Sequence, residues 1–420
     1  MARLDQLPAE LVLHIVSFLT RGVNIEEPLR SVSYSRLKKK DIVPDLPSIN
    51  ALSRTNSVFH HTLNHNLYQL CASVESLGRL ALRFAVEHNS EAAFDKLVAA
   101  GVSVDGEFEF HFWITQPGLY SLLHIAAKMG SSLIVPKLLR MYGSETPERV
   151  YARDYNDLSP LDYAVLGGHM EIIRLLAPVA ILAVSSSSSI TIDLSDERIL
   201  AHKQYLSQAL VKSAFPGPLG EKIAICEYLL SEGADVNTLD GGRASSLGYA
   251  TVHDYLATMQ VLLAAGADPN LSHRDTVPLF VASNVPAAQA LLDAGAHIHA
   301  TDNVGRNALS HRALQSTELL RFLLERGVDP NHVDDTGWTP LHYACAEAGV
   351  GTIKLLLQFG ATTAEKADRT RMMPVDLAMQ RGLIEVVKLF EPLIQDPALK
   401  AKVAKWLKEK GGLEDIGPTI

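Results

Sequence analysis

Cysteine is nearly missing from this chain of 420 residues: Cys71, Cys226 and Cys345 stand far apart with no paired spacing. That excludes a disulfide framework and a cysteine-rich zinc module, and it favours a reducing compartment. Positive charge is in deficit, 38 lysines and arginines against 47 acids, and a net charge of −9 argues against an unaided nucleic-acid binder. Long apolar runs are lacking too. The longest, Ala177 to Val184, falls well short of the ~20 residues that span a bilayer. The first residues alternate apolar and charged positions, which is not the pattern of a signal peptide. What is there is an apolar fraction of 47%, too high for wholesale disorder. At ~150 residues per domain the length implies about three domains or one long repeat array.

An internal repeat decides between these. The segment Leu229-Leu230-Ser231-Glu232-Gly233-Ala234-Asp235-Val236-Asn237 recurs as Leu262-Leu263-Ala264-Ala265-Gly266-Ala267-Asp268-Pro269-Asn270, and again from Leu291 to His299. Leu323 to Gly327 and Leu356 to Gly360 are further copies, so the glycines step by 33, 29, 32 and 33. A second landmark holds a fixed offset to the first: Thr339-Pro340-Leu341-His342, with weaker copies at Ser121–His124, Ser159–Asp162, Val277–Phe280, Asn307–Ser310 and Met373–Asp376. A period near 33 with these two landmarks resembles the ankyrin-repeat family, from about Leu80 to Leu393.

Each unit can be read physically. A serine or threonine oxygen caps the first helix, and proline at the first helical position loses no hydrogen bond. The small residues Ala164, Ala250 and Ala344 let helices approach closely. The leucine pair of the second helix buries against neighbours, and the glycine ends that helix in a left-handed conformation. No unit buries its apolar face alone, so the stack supplies the core. The fold class implied is all-α: an ankyrin-repeat solenoid with short β-hairpin loops, spanning 80–397 in about nine units. An irregular insert lies near 184–205, containing the run Ser185 to Ser189, and 398–420 form a C-terminal helix and tail. Asp196 to Lys212 has helical spacing. Val104 to Gln116, with alternating Phe108, Phe110 and Phe112 followed by Trp113, reads as an extended hairpin arm.

Residues 1–79 do not fit the repeat. Leu7-Pro8 opens an amphipathic helix with Leu11, Ile15, Phe18 and Leu19 on one side, and a second pattern runs through Asp45-Leu46, Ile49, Leu52, Phe59, Leu63 and Leu67-Tyr68. Together they are similar to an F-box, a small three-helix module. The resemblance implies a Skp1-type adaptor, and through it a cullin, bound by Leu7, Pro8, Leu11, Ile15, Leu46, Leu52 and Phe59. The insert of residues 20–44 departs from the family's short connection. A plain capping helix for the solenoid is the alternative for Leu7 to Leu19.

Local chemistry is sparse. His61 and His65 stand four apart on a predicted helix, but no acidic ligand is near in sequence, so no metal site is assigned. His124 and His342 occupy the position from which an ankyrin histidine bonds backbone groups, a structural role. Phe215-Pro216-Gly217-Pro218-Leu219-Gly220 lacks the ending of a phosphate loop. Neither Cys226 nor Cys345 has a histidine placed locally to activate it. No catalytic residue and no cofactor are expected. By their place in the motif Tyr163, Tyr249, His311 and Tyr343 face a concave groove and bind a partner, with Leu239, His273, Asp302 and Asp334 near loop tips. The resemblance implies the substrate-recognition subunit of a Skp1–cullin–F-box ubiquitin ligase in cytoplasm or nucleus, with a target protein and neither nucleic acid nor membrane as partner. A scaffold with a degenerate F-box, or an enzyme with a pocket on the solenoid, are the alternatives.

Overall fold

The computed structural model describes residues 75–110, 118–178, 196–216, 222–271, 273–274, 276–361 and 372–411. Residues 1–74 of the N-terminal module, with Leu7, Pro8, Leu11, Ile15, Leu46, Leu52 and Phe59, lie outside them, as do the histidines at 60, 61 and 65, the serine run, Phe112 and Trp113. The chain divides into two compact units at Ile199/Leu200.

The first unit holds α1 (Glu75–Glu87) and α2 (Glu91–Ala99), α3 (Leu122–Met129) and α4 (Val135–Tyr142), a short α5 (Thr146–Tyr151), and α6 (Pro160–Gly167) with α7 (Met170–Leu176). The leading helices α1, α3 and α6 pack side by side. Ser121 caps α3 by accepting the His124 N–H, and Ser159 caps α6 in a reciprocal box with Asp162.

The second unit opens with α8 (Asp196–Ser213), whose first residues precede the division, and α9 (Ile223–Ser231). Then come α10 (Ser246–Val252) and α11 (Leu256–Ala264), and α12 (Pro278–Val281) with α13 (Val285–Asp293). Two short 3-10 turns, Ala308–Ser310 and Arg312–Gln315, precede α14 (Thr317–Glu325). The array closes with α15 (Pro340–Glu347) and α16 (Val350–Gln358), α17 (Pro374–Gln380) and α18 (Ile384–Phe390), and the terminal α19 (Pro397–Gly411). Two layers result. From α10 onward the leading helices contact one another in order, and so do the trailing helices from α9 to α18. Ala164, Ala250 and Ala344 are fully buried where the layers meet.

Two expectations need correction. The solenoid is helical, but β-hairpins do not join its units. Among the described residues the only strand pair is β1 (Phe108–Phe110) with β2 (Gly118–Tyr120), antiparallel, in the aromatic arm between α2 and α3. Elsewhere the loops carry isolated bridges at Leu239–Ser245 and His273–Thr276. The physical reason is that these loops give their backbone N–H groups to side-chain oxygens, so no ladder remains to be made. The second correction concerns the leucine pairs. Leu229, Leu262, Leu291 and Leu356 are buried, whereas Leu230, Leu263, Leu292 and Leu357 are half-exposed; in the remaining pair Leu323 and Leu324 are both buried, as expected. In the other four pairs, one residue further along the helix turns the second leucine ~100° away from the core.

The shortened repeat explains itself. Between Gly266 and Gly295 the leading helix α12 has 4 residues, where α15 has 8. A step of 29 is one helical turn short of 33, and that turn comes mostly out of this helix. The landmark glycines close each trailing helix with positive φ, +88° at Gly266 and +94° at Gly295.

Leu356→Ala should therefore cost ~2–5 kcal/mol, loosening α15 to α18 first because neighbour contacts carry repeat stability. Leu357→Ala should cost markedly less. Denaturant unfolding with hydrogen exchange checks both, and equal losses would contradict the burial pattern.

Candidate functional site: the loop carboxylates and their ring partners

The loop before each leading helix must house backbone N–H groups that no helix or strand satisfies. In four units an aspartate does this. Asp154 accepts the N–H groups of Asn156 and Leu158, and Asp240 those of Gly242 and Ala244. Asp302 accepts Val304 and Arg306, and Asp334 accepts Thr336 and Trp338. The second carboxylate oxygen takes a side chain nine residues on. Tyr163 donates its O–H to Asp154 at 2.6 Å, Tyr249 to Asp240 at 2.9 Å and Tyr343 to Asp334 at 2.6 Å. The ninth residue after Asp302 is His311, whose Nε2 lies 3.2 Å from the carboxylate.

So the four residues expected in a partner groove sit at one structural position, each turned toward its own loop. Tyr163 and Tyr249 are buried, at 3% and 8% exposure, while Tyr343 and His311 are half-buried. Of the supposed loop-tip residues, His273, Asp302 and Asp334 are buried and Leu239 is half-buried. The nine-residue offset between aspartate and ring was visible in the sequence and would have revealed the pairing.

In the first unit Tyr163 stands edge-on to Tyr120 and His124, with ring centroids 6.1 and 6.0 Å away. His124 Nε2 reaches Ala152 O at 3.1 Å, and His342 Nε2 reaches Met372 O at 3.3 Å. Both rings thus tie a helix start to the following loop, the structural role expected of them. In the second unit His311 and Tyr343 are brought together by one network. Arg306 Nε donates to Asp302 at 2.7 Å, and its guanidinium lies 5.9 Å from the Tyr343 ring centroid. His311 stacks on Phe280, centroids 4.8 Å apart.

Tyr249 belongs to a separate cluster. Phe215 lies 4.4 Å away, Arg274 Nη2 donates to the Tyr249 hydroxyl at 3.0 Å, and His273 stands edge-on at 5.1 Å. This joint is unusual. Gly248 occupies the place that His124 and His342 hold in their units, and His273 takes the place of the loop aspartate in the next. A Cβ at Gly248 would run into the His273 imidazole. The histidine of this joint is thus supplied by the following loop.

The electrostatics follow from burial. Burial pushes the Tyr343 and Tyr163 hydroxyls far up, reinforced by the carboxylates they serve. Burial acts to raise Asp302, but the Arg306 and Val304 N–H groups and the Arg306 side chain outweigh it and hold the carboxyl low. Burial pushes His311 down to about 4, aided by Arg306 and opposed by Asp302. Buried Cys345 is pushed up to about 12. Tyr163, Tyr343, His311 and Asp302 therefore hold fixed protonation states near neutrality and act as fasteners. Among the described residues no group of histidine, cysteine and acid is arranged to hold a metal ion, and no helix is long and apolar enough to cross a membrane.

Comparison with known proteins agrees with this geometry. Residues 311–398 match the model for ankyrin repeats in three copies. The chain is 30% identical over 172 residues to human transient receptor potential cation channel subfamily A member 1, covering 38% of this chain and 15% of that protein. It is 30% identical over 184 residues to human mitochondrial disaggregase, 41% of this chain and 25% of that protein. Ankyrin repeat protein nuc-2 of Neurospora crassa is 31% identical over 170 residues, 39% of this chain and 16% of that protein. The chain contains an ankyrin-repeat domain. It spans a quarter or less of the length of these three relatives.

Two measurements test the site. Relief of helix glycine alone would make Gly248→Ala stabilising by ~1 kcal/mol. The His273 ring reverses the sign, and overpacking should cost ~1–3 kcal/mol. In the His273→Ala background the same change should cost much less, which a double-mutant cycle reads directly. For His311, the folded pKa lies below the unfolded value near 6.5. As pH falls from 6.5 toward 4 the unfolded chain takes up the proton first, so stability is lost in that window. His311→Gln should flatten the fall in unfolding free energy there by on the order of 2–3 kcal/mol, and an unchanged slope would refute the buried neutral imidazole.

Proposed function

We propose that this protein is a non-catalytic substrate receptor of a Skp1–cullin–F-box ubiquitin ligase, acting in cytoplasm or nucleus. The N-terminal module binds the adaptor and the ankyrin domain holds a target protein. One observation carries the reading: the paired sequence pattern of Leu7-Pro8 to Leu19 and Asp45-Leu46 to Tyr68, placed ahead of a repeat array. The array supports it because its polar side chains are spent on fastening loops, as expected of a presenting surface. Leu7, Pro8, Leu11, Ile15, Leu46, Leu52 and Phe59 serve the adaptor end. The insert of residues 20–44 favours a second reading, a scaffold that has lost adaptor contact, although loop closure costs grow slowly with length.

The full chain should retain a Skp1-type adaptor in a pull-down. Leu7→Ala combined with Pro8→Ala should weaken that retention about tenfold or more with the array's melting temperature unchanged. Absence of binding by the native chain would leave the scaffold reading, and equal retention by the double variant would move the adaptor site elsewhere.

A further inference from the structure

The loop side of the second unit carries a row of cations on a chain whose net charge is −9. Arg243, Arg274 and Arg306 stand on three successive loops, and Lys212 stands at the end of α8. The first two loops are joined directly, the Arg274 N–H donating to Arg243 O at 3.0 Å. Three of the four cations are held over rings: Lys212 over Phe215 at 4.6 Å, Arg274 over Tyr249 at 5.4 Å and Arg306 over Tyr343 at 5.9 Å. Arg243 and Arg274 are exposed, and Lys212 and Arg306 are half-exposed.

Asp240 and Asp302, on the loops of Arg243 and Arg306, are already engaged. Asp240 takes Gly242, Ala244 and Tyr249, and Asp302 takes Val304 and two donors of Arg306. A guanidinium offers five N–H donors, and one already fixed by a ring loses less freedom on binding. Resting on the reading of this domain as a holder of proteins, we propose that the row Lys212, Arg243, Arg274 and Arg306 docks an acidic, extended peptide segment of the partner.

The spacing sets the peptide's pattern. Packed helices lie ~8–10 Å apart, and an extended polyproline-II chain advances ~3.1 Å per residue and returns every third side chain to the same side. A carboxylate at every third residue therefore meets one loop after another, each forming a charge-assisted bond with an arginine fork. A nucleic acid fits worse. It presents a denser line of charge, and a protein making about 6–10 phosphate contacts uses more cations than the four of this row.

The test uses the full chain and a fluorescein-labelled Glu-Gly-Ser repeat peptide, read by anisotropy. Arg243→Glu with Arg274→Glu should weaken binding about tenfold or more. Lys400→Glu with Lys405→Glu on exposed positions of α19 makes the same change in net charge and should leave binding within about twofold. If the first variant fails to fold by circular dichroism, Arg243→Gln with Arg274→Gln carries the same expectation. Equal weakening by the α19 variant, no binding by the native chain, or row-dependent binding of a single-stranded oligonucleotide with comparable affinity would each overturn the proposal. Adaptor capture is measured in parallel. Lost peptide binding with intact adaptor capture overturns the docking row alone. Row-dependent peptide binding without adaptor capture supports the row and removes only the ligase reading.

Discussion

A repeat of two short helices leaves a loop whose backbone N–H groups have nowhere to go, and the rest of this architecture depends on one carboxylate that receives them. A buried unsatisfied amide costs about 1–3 kcal/mol, so a loop with two such groups is untenable without an acceptor. Asp154, Asp240, Asp302 and Asp334 each accept two and then use the remaining oxygen on a ring or its own loop's arginine. The ring is anchored on the leading helix. The loop is thereby pinned to the helix it introduces, and the next unit meets a surface of fixed shape. Asparagines extend the fastening between units: the Asn237, Asn270 and Asn331 amides donate to the carbonyls of Gly266, Gly295 and Gly360. Each of these three glycines thus ends its own helix and serves the preceding loop.

The informative places are those where the pattern breaks, because a break must be compensated. At the joint after α10 the loop aspartate is replaced by His273, the leading-helix histidine by Gly248 and the following leading helix is cut to α12. These three departures are one event. A shorter loop brings the His273 ring onto the Gly248 position, which is open only because glycine has no side chain there. In the next unit His311 replaces tyrosine. Its ring keeps the Asp302 contact and adds a stack on Phe280, which lies in the shortened unit. The irregular units therefore exchange regular polar contacts for aromatic ones at their seams.

How much of this was legible beforehand divides along physical lines. Helix pairs, caps, closing glycines and the helix at Asp196 were legible, because each depends on residues close in sequence. The hairpin loops were misjudged because an aspartate that satisfies its loop leaves no signal in hydrophobic periodicity. The leucine pairs were half right, since adjacency in sequence is a turn of ~100° on a helix. Tyr163, Tyr249, His311 and Tyr343 were correctly grouped as one structural position. Their inward bonds were missed because the expectation considered the helix alone and not the aspartate nine residues earlier. Arg274 and Arg306 were passed over entirely, for a lone arginine in a loop carries no pattern until the loops are stacked.

Stacking also changes what charge means in this chain. Its acids outnumber its bases, yet Asp154, Asp240, Asp302 and Asp334 turn inward to backbone and ring, and three of these loops bury the carboxylate or leave it half-buried beside an outward cation. A carboxylate that accepts two or three hydrogen bonds is held ionised and poorly placed to receive a fourth donor. Arg243 and Arg274 are exposed on the same loops of the second unit, so these cations stand where a partner can meet them. Overall composition, read as a sum, says only that the chain is acidic. Read loop by loop, Asp154, Asp240, Asp302 and Asp334 are committed to the fold, because folding requires acceptors at the places where the loops begin.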